Sequence, residues 1–373
     1  MRGGTSKGLV FKRADLPADP GERDRFFLAA MGSPDPYGRQ LDGLGGGLSS
    51  LSKVCVVGPS SRADADLDYQ FGQVLIGEAR VDWSGNCGNM SAAIGPFAFD
   101  EGLVSPRPDA DGQVTVDIHN TNTGKIIRST FRVRDGRAAE AGELSIPGVA
   151  GSGSPIRLDF LDPGGAITGR LLPTGRPADR LAVPGLGPIE VSMVDAAVAA
   201  VFVRAESLGL SGTESPQVIE QIPGLVERLL AIRAAAAMAM GIAATDAEAR
   251  ARLSVPAVGF VSPAQACTTL DGRTLAVEQM DLTVRMIASG QPHRALPLTA
   301  SVCLAVAACL PGSVVNRCVS AVPGEELRLG MPSGVLKVAA EVERVGETWA
   351  ARRGAFYRTA RRLFDGWVYA SER

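Results

Sequence analysis

Two stretches constrain this chain more than any other. GNMSAAIGPFAF at 88–99 and PLTASVCLAVAACL at 297–310 read as helices built of small apolar residues on every side. A helix with no polar face has nothing to offer water, so each of these must be wrapped by other structure. The segments available to wrap them are strands. Leu9-Val10-Phe11, Ser52 to Val57, Asp68 to Leu75, Val114 to His119 and Ile126 to Arg134 precede or follow the first helix with β-branched, alternating patterns. Ile189 to Val194, Ala199 to Val203, Ala257 to Val261 and Leu282 to Ile287 do the same before the second. Two further helices are expected, from Glu22 to about Met31 and from Leu225 to Met240. Each half thus places a small-residue helix after a set of strands, with a polar turn at its start. This is a repeat of organisation and not of identity, and it implies two related lobes.

The length of 373 residues agrees, being too great for one ordinary core and comfortable for two. The run from about Pro173 to Pro188, rich in Pro and Gly, is the best candidate for the connection between lobes. A formal net charge of -2 without blocks of like charge gives no footprint for nucleic acid or an anionic membrane, and neither partner is expected. No apolar stretch approaches the ~20 residues of a membrane span, and MRGGTSKG at the start has no signal region. Six cysteines without the pairing density of a secreted scaffold fit a reducing, cytoplasmic setting.

The most chemically loaded segment is VDWSGNCGNMSAA, 81–93. Glycines on both sides of Asn86-Cys87 allow a tight turn that exposes the thiol and backbone N–H groups at a helix start, where a carboxylate binds and a thiol loses its proton more readily. The alternative is an inert cysteine beside a turn. Lys53 opens a strand between apolar residues. Facing inward it would lose solvation and drop toward the range of a general base; facing outward it is a strand-end lysine with its head in water. The residues alone leave both readings open. Pro332-Ser333-Gly334, ahead of an alternating strand, is either an anion-binding turn or an ordinary hairpin turn. His293, in a polar turn before the second small-residue helix, is a candidate substrate contact, whereas His119 on an alternating strand reads as structural or exposed.

Other motifs fail. Gly4-Thr5-Ser6-Lys7-Gly8 matches a serine-hydrolase elbow in letters but lacks the strand that must precede it. Neither it nor Gly43 to Gly47 has the spacing of a phosphate or dinucleotide loop. With two histidines and no C-x-x-C, a catalytic zinc site of normal ligand spacing cannot be assembled.

Taken in order, MRGGTSKG, GSPDPYGRQLDGLGGG, SSLSKV, RADADLDYQFGQV, VDWSGNCGNMSAAIGPFA, LLPTG, ERLLAIRAAAAMAMGIA and PSG resemble the PrpF family across essentially the whole chain. That family includes 2-methylaconitate cis-trans isomerase, with 3-methylitaconate delta-isomerase and 4-oxalomesaconate tautomerase as relatives. The resemblance implies an α+β, diaminopimelate-epimerase-like fold: two pseudo-symmetric lobes, each a bent mixed sheet wrapped around a central helix, with substrate between them. Their expected limits are 1–183, joined by a segment from about 355 to 373, and 184–354. It implies a cofactor-independent isomerase that moves a proton, by double-bond shift or cis-trans isomerisation, in a small unsaturated di- or tricarboxylic acid such as 2-methylaconitate. Keto-enol tautomerisation of an oxalomesaconate-like acid is the alternative chemistry, and a non-catalytic carboxylate-binding protein the alternative class. No cofactor or metal is implied. The expected partners are the small acid and, in a homodimer, a second copy.

Carried over by residue, the resemblance makes Lys53 and Cys87 the acid/base pair. It places carboxylate binding on Gly4, Thr5, Ser6 and Lys7, on Ser52, on Asn86, Gly88 and Asn89, and on Ser333 and Gly334, with His293 and Thr299 beside them. Epimerases of this superfamily carry a second cysteine at the start of the other lobe's helix. Here Leu298-Thr299-Ala300-Ser301 stands in that place, which argues against two-cysteine racemisation. Met331 replaces the His usual before Pro-Ser-Gly, and Asp195-Ala196-Ala197-Val198 lacks the usual Asn-Pro.

Overall fold

The computed structural model describes residues 1–83, 86–252, 255–288, 290–319 and 326–370. The chain divides into two compact units, Met1–Asp159 with Tyr357–Arg373, and Phe160–Phe356.

In the first unit a mixed sheet grows outward from the strand Lys53–Pro59. Strand Ser6–Lys12 runs parallel to it, with Gly8 opposite Lys53, and strand Leu67–Val74 runs antiparallel on its other edge, with Gln73 opposite Lys53. Strand Gln113–Asn120 is parallel to Leu67–Val74 and forms a hairpin with Lys125–Arg134. Because side chains alternate across a strand, each residue is assigned to a face by this register. Val54, Val56 and Val74 point to one face and pack with Phe27 and Met31 of the helix Pro20–Met31, joined by Leu9, Phe11 and Trp83. Lys53, Cys55, Phe71 and Gln73 point to the other.

That second face meets the helix Gly88–Asp100, which touches strands on several sides and buries every residue from Met90 to Ala98. Only small side chains let a helix sit so close to a sheet, which is why the segment is so rich in Ala, Ser and Gly. Helix Pro20–Met31, on the outer face, carries an N-cap Asp19 that accepts from the Glu22 N–H and a Pro at its first turn.

The second unit has its own mixed sheet. Strands Asp179–Val183, Gly187–Ala196 and Val198–Arg204 are successively antiparallel, Ala257–Pro263 joins in parallel, and Leu282–Ala288 follows antiparallel. Leu327–Met331 is parallel to that last strand and turns back into Gly334–Val345, which pairs with the strand beginning at Thr348. Helix Leu298–Ala308 lies against Gly334–Val345, Gly187–Ala196 and Val198–Arg204, buried from Ala300 to Ala308. Helix Leu225–Ala239 supplies Leu225, Leu229, Ile232 and Ala236 to a core with Val191, Val201 and Phe260. The expected α+β architecture, a mixed sheet around a small-residue helix, is present in each unit.

The expected connection between lobes is corrected. Residues 173–188 lie inside the second unit, and the boundary falls at Asp159/Phe160 rather than at 183/184. Their Pro and Gly residues punctuate a hairpin: Pro184-Gly185-Leu186 turns strand Asp179–Val183 into Gly187–Ala196. The polar centre is held locally, since the Asp179 carboxylate accepts from the Thr174 hydroxyl and the Arg176 guanidinium, each at 2.6 Å. The segment from Tyr357 onward groups with the first unit.

Phe27 is fully buried and contacts Phe11, Phe26 and Trp83 in one aromatic cluster. Phe27→Ala should therefore lower unfolding free energy by about 3–5 kcal/mol, read by denaturant titration.

Candidate active site

Lys53 is only 8% exposed, although its strand begins there. Its Nζ donates to Gln73 Oε1 at 2.6 Å and lies 5.0 Å from the centre of the Phe71 ring. Both partners follow from register, Gln73 directly opposite and Phe71 one diagonal step along the same face. The inward reading of this lysine is thus the one the fold adopts. Gly8 makes it possible: a Cβ there would stand 2.8 Å from the Lys53 carbonyl oxygen and 3.1 Å from its Cβ.

Cys87 occupies the N-cap position of helix Gly88–Asp100, half-buried, and no side chain caps that helix. Its Sγ lies 3.9 Å from Ser6 Oγ, and Ser6 shares a strand face with Gly8. Cys55, two residues beyond Lys53 on the same face, interacts electrostatically with both Cys87 and Lys53. Tyr69 contacts Cys55 at 3.8 Å and is bonded to Ser91, one helical turn beyond Cys87. The amine and the Cys87 thiol are therefore gathered around one buried Cys55–Tyr69 pair. Burial pushes the Cys55 thiol up to about 12 and the Tyr69 hydroxyl well above its usual value, so both stay protonated and neutral.

The remaining first-unit candidates form the frame. Gly4 adopts φ +51°, and a Cβ there would fall 2.1 Å from Asn89 Oδ1. The Asn89 side chain accepts from the Thr5 N–H at 3.3 Å and from Arg358 Nε at 3.1 Å, and donates to Thr5 Oγ1 at 3.1 Å. It joins the Gly4 to Lys7 turn to the helix start, beside the Gly88 backbone. Lys7 is half-buried at the end of this turn. Asn86 Oδ1 accepts from Ser91 Oγ and Asn120 Nδ2. The Ser52 hydroxyl donates to Gln40, while its carbonyl accepts from Gln73 Nε2 at 2.9 Å. Asn86, Asn89 and Ser52 thus spend their side chains on holding the site. Ser84 and Gly85 of the cysteine motif lie outside the described residues.

Thr299 is in the first turn of helix Leu298–Ala308, whose start no side chain caps. His293 Nδ1 accepts from the Ala295 N–H at 3.0 Å, which leaves the ring proton on Nε2, and burial lowers the imidazole below its ordinary range. Pro332-Ser333 is a two-residue hairpin turn closed by Met331 opposite Gly334; the Ser333 hydroxyl is buried without a hydrogen-bond partner among the described residues. His119, read as structural or exposed, bonds Asp68 at 2.8 Å and supports a turn.

Four residues escaped the reading of the sequence. Gln73 holds Lys53. Asn122 ties Phe71 N and O to the Trp83 carbonyl ahead of the cysteine turn, and Asn120 reaches Asn86. Gln40 binds Ser33, the Gly47 N–H and Ser52. HNTNTG, 119–124, has the composition of a turn, but the residues its side chains hold lie far away in sequence. Among the described residues no group of three His, Cys, Asp or Glu side chains is arranged to hold a metal ion, and no helix is long and apolar enough to cross a membrane.

Comparison with known proteins agrees along the full length. The family model described as PrpF protein matches residues 1–371. The chain belongs to the PrpF family. This PrpF chain is 39% identical to a 2-methyl-aconitate isomerase of Shewanella oneidensis, over 99% of the chain and 95% of the relative. It is 40% identical to a 3-methylitaconate isomerase of Eubacterium barkeri, over 100% of the chain and 96% of the relative. A crystal structure of methylitaconate-delta-isomerase superposes with a TM-score of 0.92 at 40% identity, covering 99% of this chain and 94% of that one. The PrpF chain is an isomerase, and its fold is that of methylitaconate-delta-isomerase.

All six cysteines are free thiols. Iodoacetamide at pH 8 should label Cys87 first and leave Cys55 untouched until unfolding, as read by peptide mass spectrometry. The folded protein holds the Cys55 proton to about 12, against 9.0 for an ordinary cysteine. Its contribution to stability is therefore complete below pH 9 and is lost as the pH rises toward 12.

Proposed function

We propose that this isomerase relocates a proton in a small unsaturated di- or tricarboxylic acid of the 2-methylaconitate kind. The observation that carries the reading is a buried amine, held by a neutral acceptor, on the sheet face that also meets Cys87 at an uncapped helix start. Relatives spanning the full chain, named for the isomerisation of 2-methylaconitate and 3-methylitaconate, support the substrate class.

In the reaction, Lys53 takes a proton from a carbon conjugated through the double bond to a carboxylate. The electron pair left behind spreads into a dienolate. The partial positive charge and N–H groups of the helix start at Cys87 favour that anion over the uncharged carbon acid, so the barrier falls. Cys87 returns a proton. At a different carbon this moves the double bond, and at the original carbon after rotation it exchanges cis for trans. Return of a proton from Lys53 to Cys87, directly or through water, restores both groups for the next turnover. The Gly4 to Lys7 turn and the Asn86 to Asn89 turn would receive the carboxylates.

Incubation with 2-methylaconitate, 3-methylitaconate and oxalomesaconate in deuterated water is the direct test. Deuterium should enter a vinylic or allylic position of one acid at the rate of isomerisation. Binding of an acid without exchange would refute the enzymatic reading. Lys53→Ala should lower turnover on the order of 10²–10⁴-fold with an unchanged circular dichroism spectrum, and near-normal turnover would remove the proposed base.

A further inference from the structure

The Gln73 side chain is more tightly specified than a strand residue at a half-buried position needs to be. Its Nε2 faces three backbone carbonyls, of Ser52 at 2.9 Å, Ser49 at 3.1 Å and Val74 at 3.4 Å. A carbonyl accepts and never donates, so this crowd fixes which end of the amide is nitrogen. Oε1 is left pointing at Lys53 Nζ. The two residues stand directly opposite in the antiparallel register, and the Phe71 ring lies on the amine's other flank.

Chemistry explains why an amide suits this place. A carboxylate 2.6 Å from the amine would favour the ammonium and disarm a base. An alkyl side chain would leave a buried amine with no acceptor and several rotamers. A carboxamide locked by its own donors does neither. It takes one N–H direction, and the Phe71 ring restricts another. Among the titratable groups, Cys55 on the same strand interacts with Lys53, while Tyr69 and Cys87 interact with Cys55. The buried amino group of Met1 also acts on Cys55. Among these described groups none is a carboxylate.

We propose that Gln73 is a positioning residue for proton transfer, aiming the Lys53 amine as a neutral acceptor through an amide orientation set by the Ser49, Ser52 and Val74 carbonyls. The proposal rests on the reading of Lys53 as the base.

Three variants test it. Gln73→Met should lower kcat by about 10- to 100-fold with KM changed less than about threefold, because substrate still binds while the amine is poorly aimed. Gln73→Glu should also lose kcat near neutrality but recover it in alkali, its pH–rate limb moving up by about one unit or more. A turnover-independent readout accompanies both: acetic anhydride labelling of Lys53 against pH, quantified by mass spectrometry, with thermal midpoints to establish folding. In Gln73→Glu the labelling midpoint should move up with the kinetic limb. Wild-type kcat in Gln73→Met, or a labelling midpoint in Gln73→Glu that does not move, would overturn the proposal. Lys53→Ala separates the two readings. If it remains active, the base assignment fails, and with it the catalytic part of this inference. If it is inactive while the Gln73 variants behave as wild type, the inference about Gln73 alone fails.

Discussion

The register of one buried strand is what the first unit's site depends on. Lys53–Pro59 is paired on both edges, parallel to Ser6–Lys12 and antiparallel to Leu67–Val74. With both edges satisfied it cannot slide, and a slip of one residue would exchange its faces. Val54 and Val56 would then meet the small-residue helix, and Lys53 and Cys55 would enter the aromatic cluster around Phe27. Burying a charge-bearing amine among phenylalanines is costly, so core packing and site geometry are enforced by the same hydrogen bonds. The helix Pro20–Met31, packed on the face of Val54 and Val56, thereby decides which way Lys53 points.

Around that strand the polar residues divide into two kinds. One kind ends in open chemistry, namely the Lys53 amine, the Cys87 thiol and the uncapped start of helix Gly88–Asp100. The other is spent on structure. Asn86, Asn89, Asn120, Asn122, Gln40 and Gln73 all bond to backbone or to each other. Neutral amides recur in this framework because each supplies a donor and an acceptor without adding charge beside the amine. The frame reaches the Gly4 to Lys7 turn through Asn89 and the buried Arg358, whose guanidinium burial holds at about 10. A wall made this way is preorganised, since its dipoles are already oriented by the fold.

Much of this was legible in the residues. Alternation located four first-unit strands to within two residues and placed the start of Ser6–Lys12 three residues late, and the all-round apolar character of 88–99 marked a wrapped helix. The misplaced boundary has a clear cause. Pro and Gly at 173–188 signal turns, and a sequence does not distinguish the turn of a hairpin from a linker unless the partner strand is known. Pro332-Ser333-Gly334 shows the same limit, since a hairpin turn and an anion-binding turn use the same residue types. Gln73 was invisible for a related reason. In LDYQFGQV it is one of two glutamines on a strand, and nothing local says that Lys53, twenty positions earlier, stands opposite.

The sequence by itself determined the family, the α+β class and the two small-residue helices, and it singled out Lys53 and Cys87 as candidates. These rest on local pattern and on motif spacing, both of which are properties of neighbours along the chain. Tertiary structure alone decided that Lys53 faces inward, that its acceptor is Gln73, and that Cys55, in contact with Tyr69, interacts with both Lys53 and Cys87. Those facts depend on strand register. Register is fixed by the summed burial and hydrogen bonding of segments far apart in sequence, and no single segment encodes it.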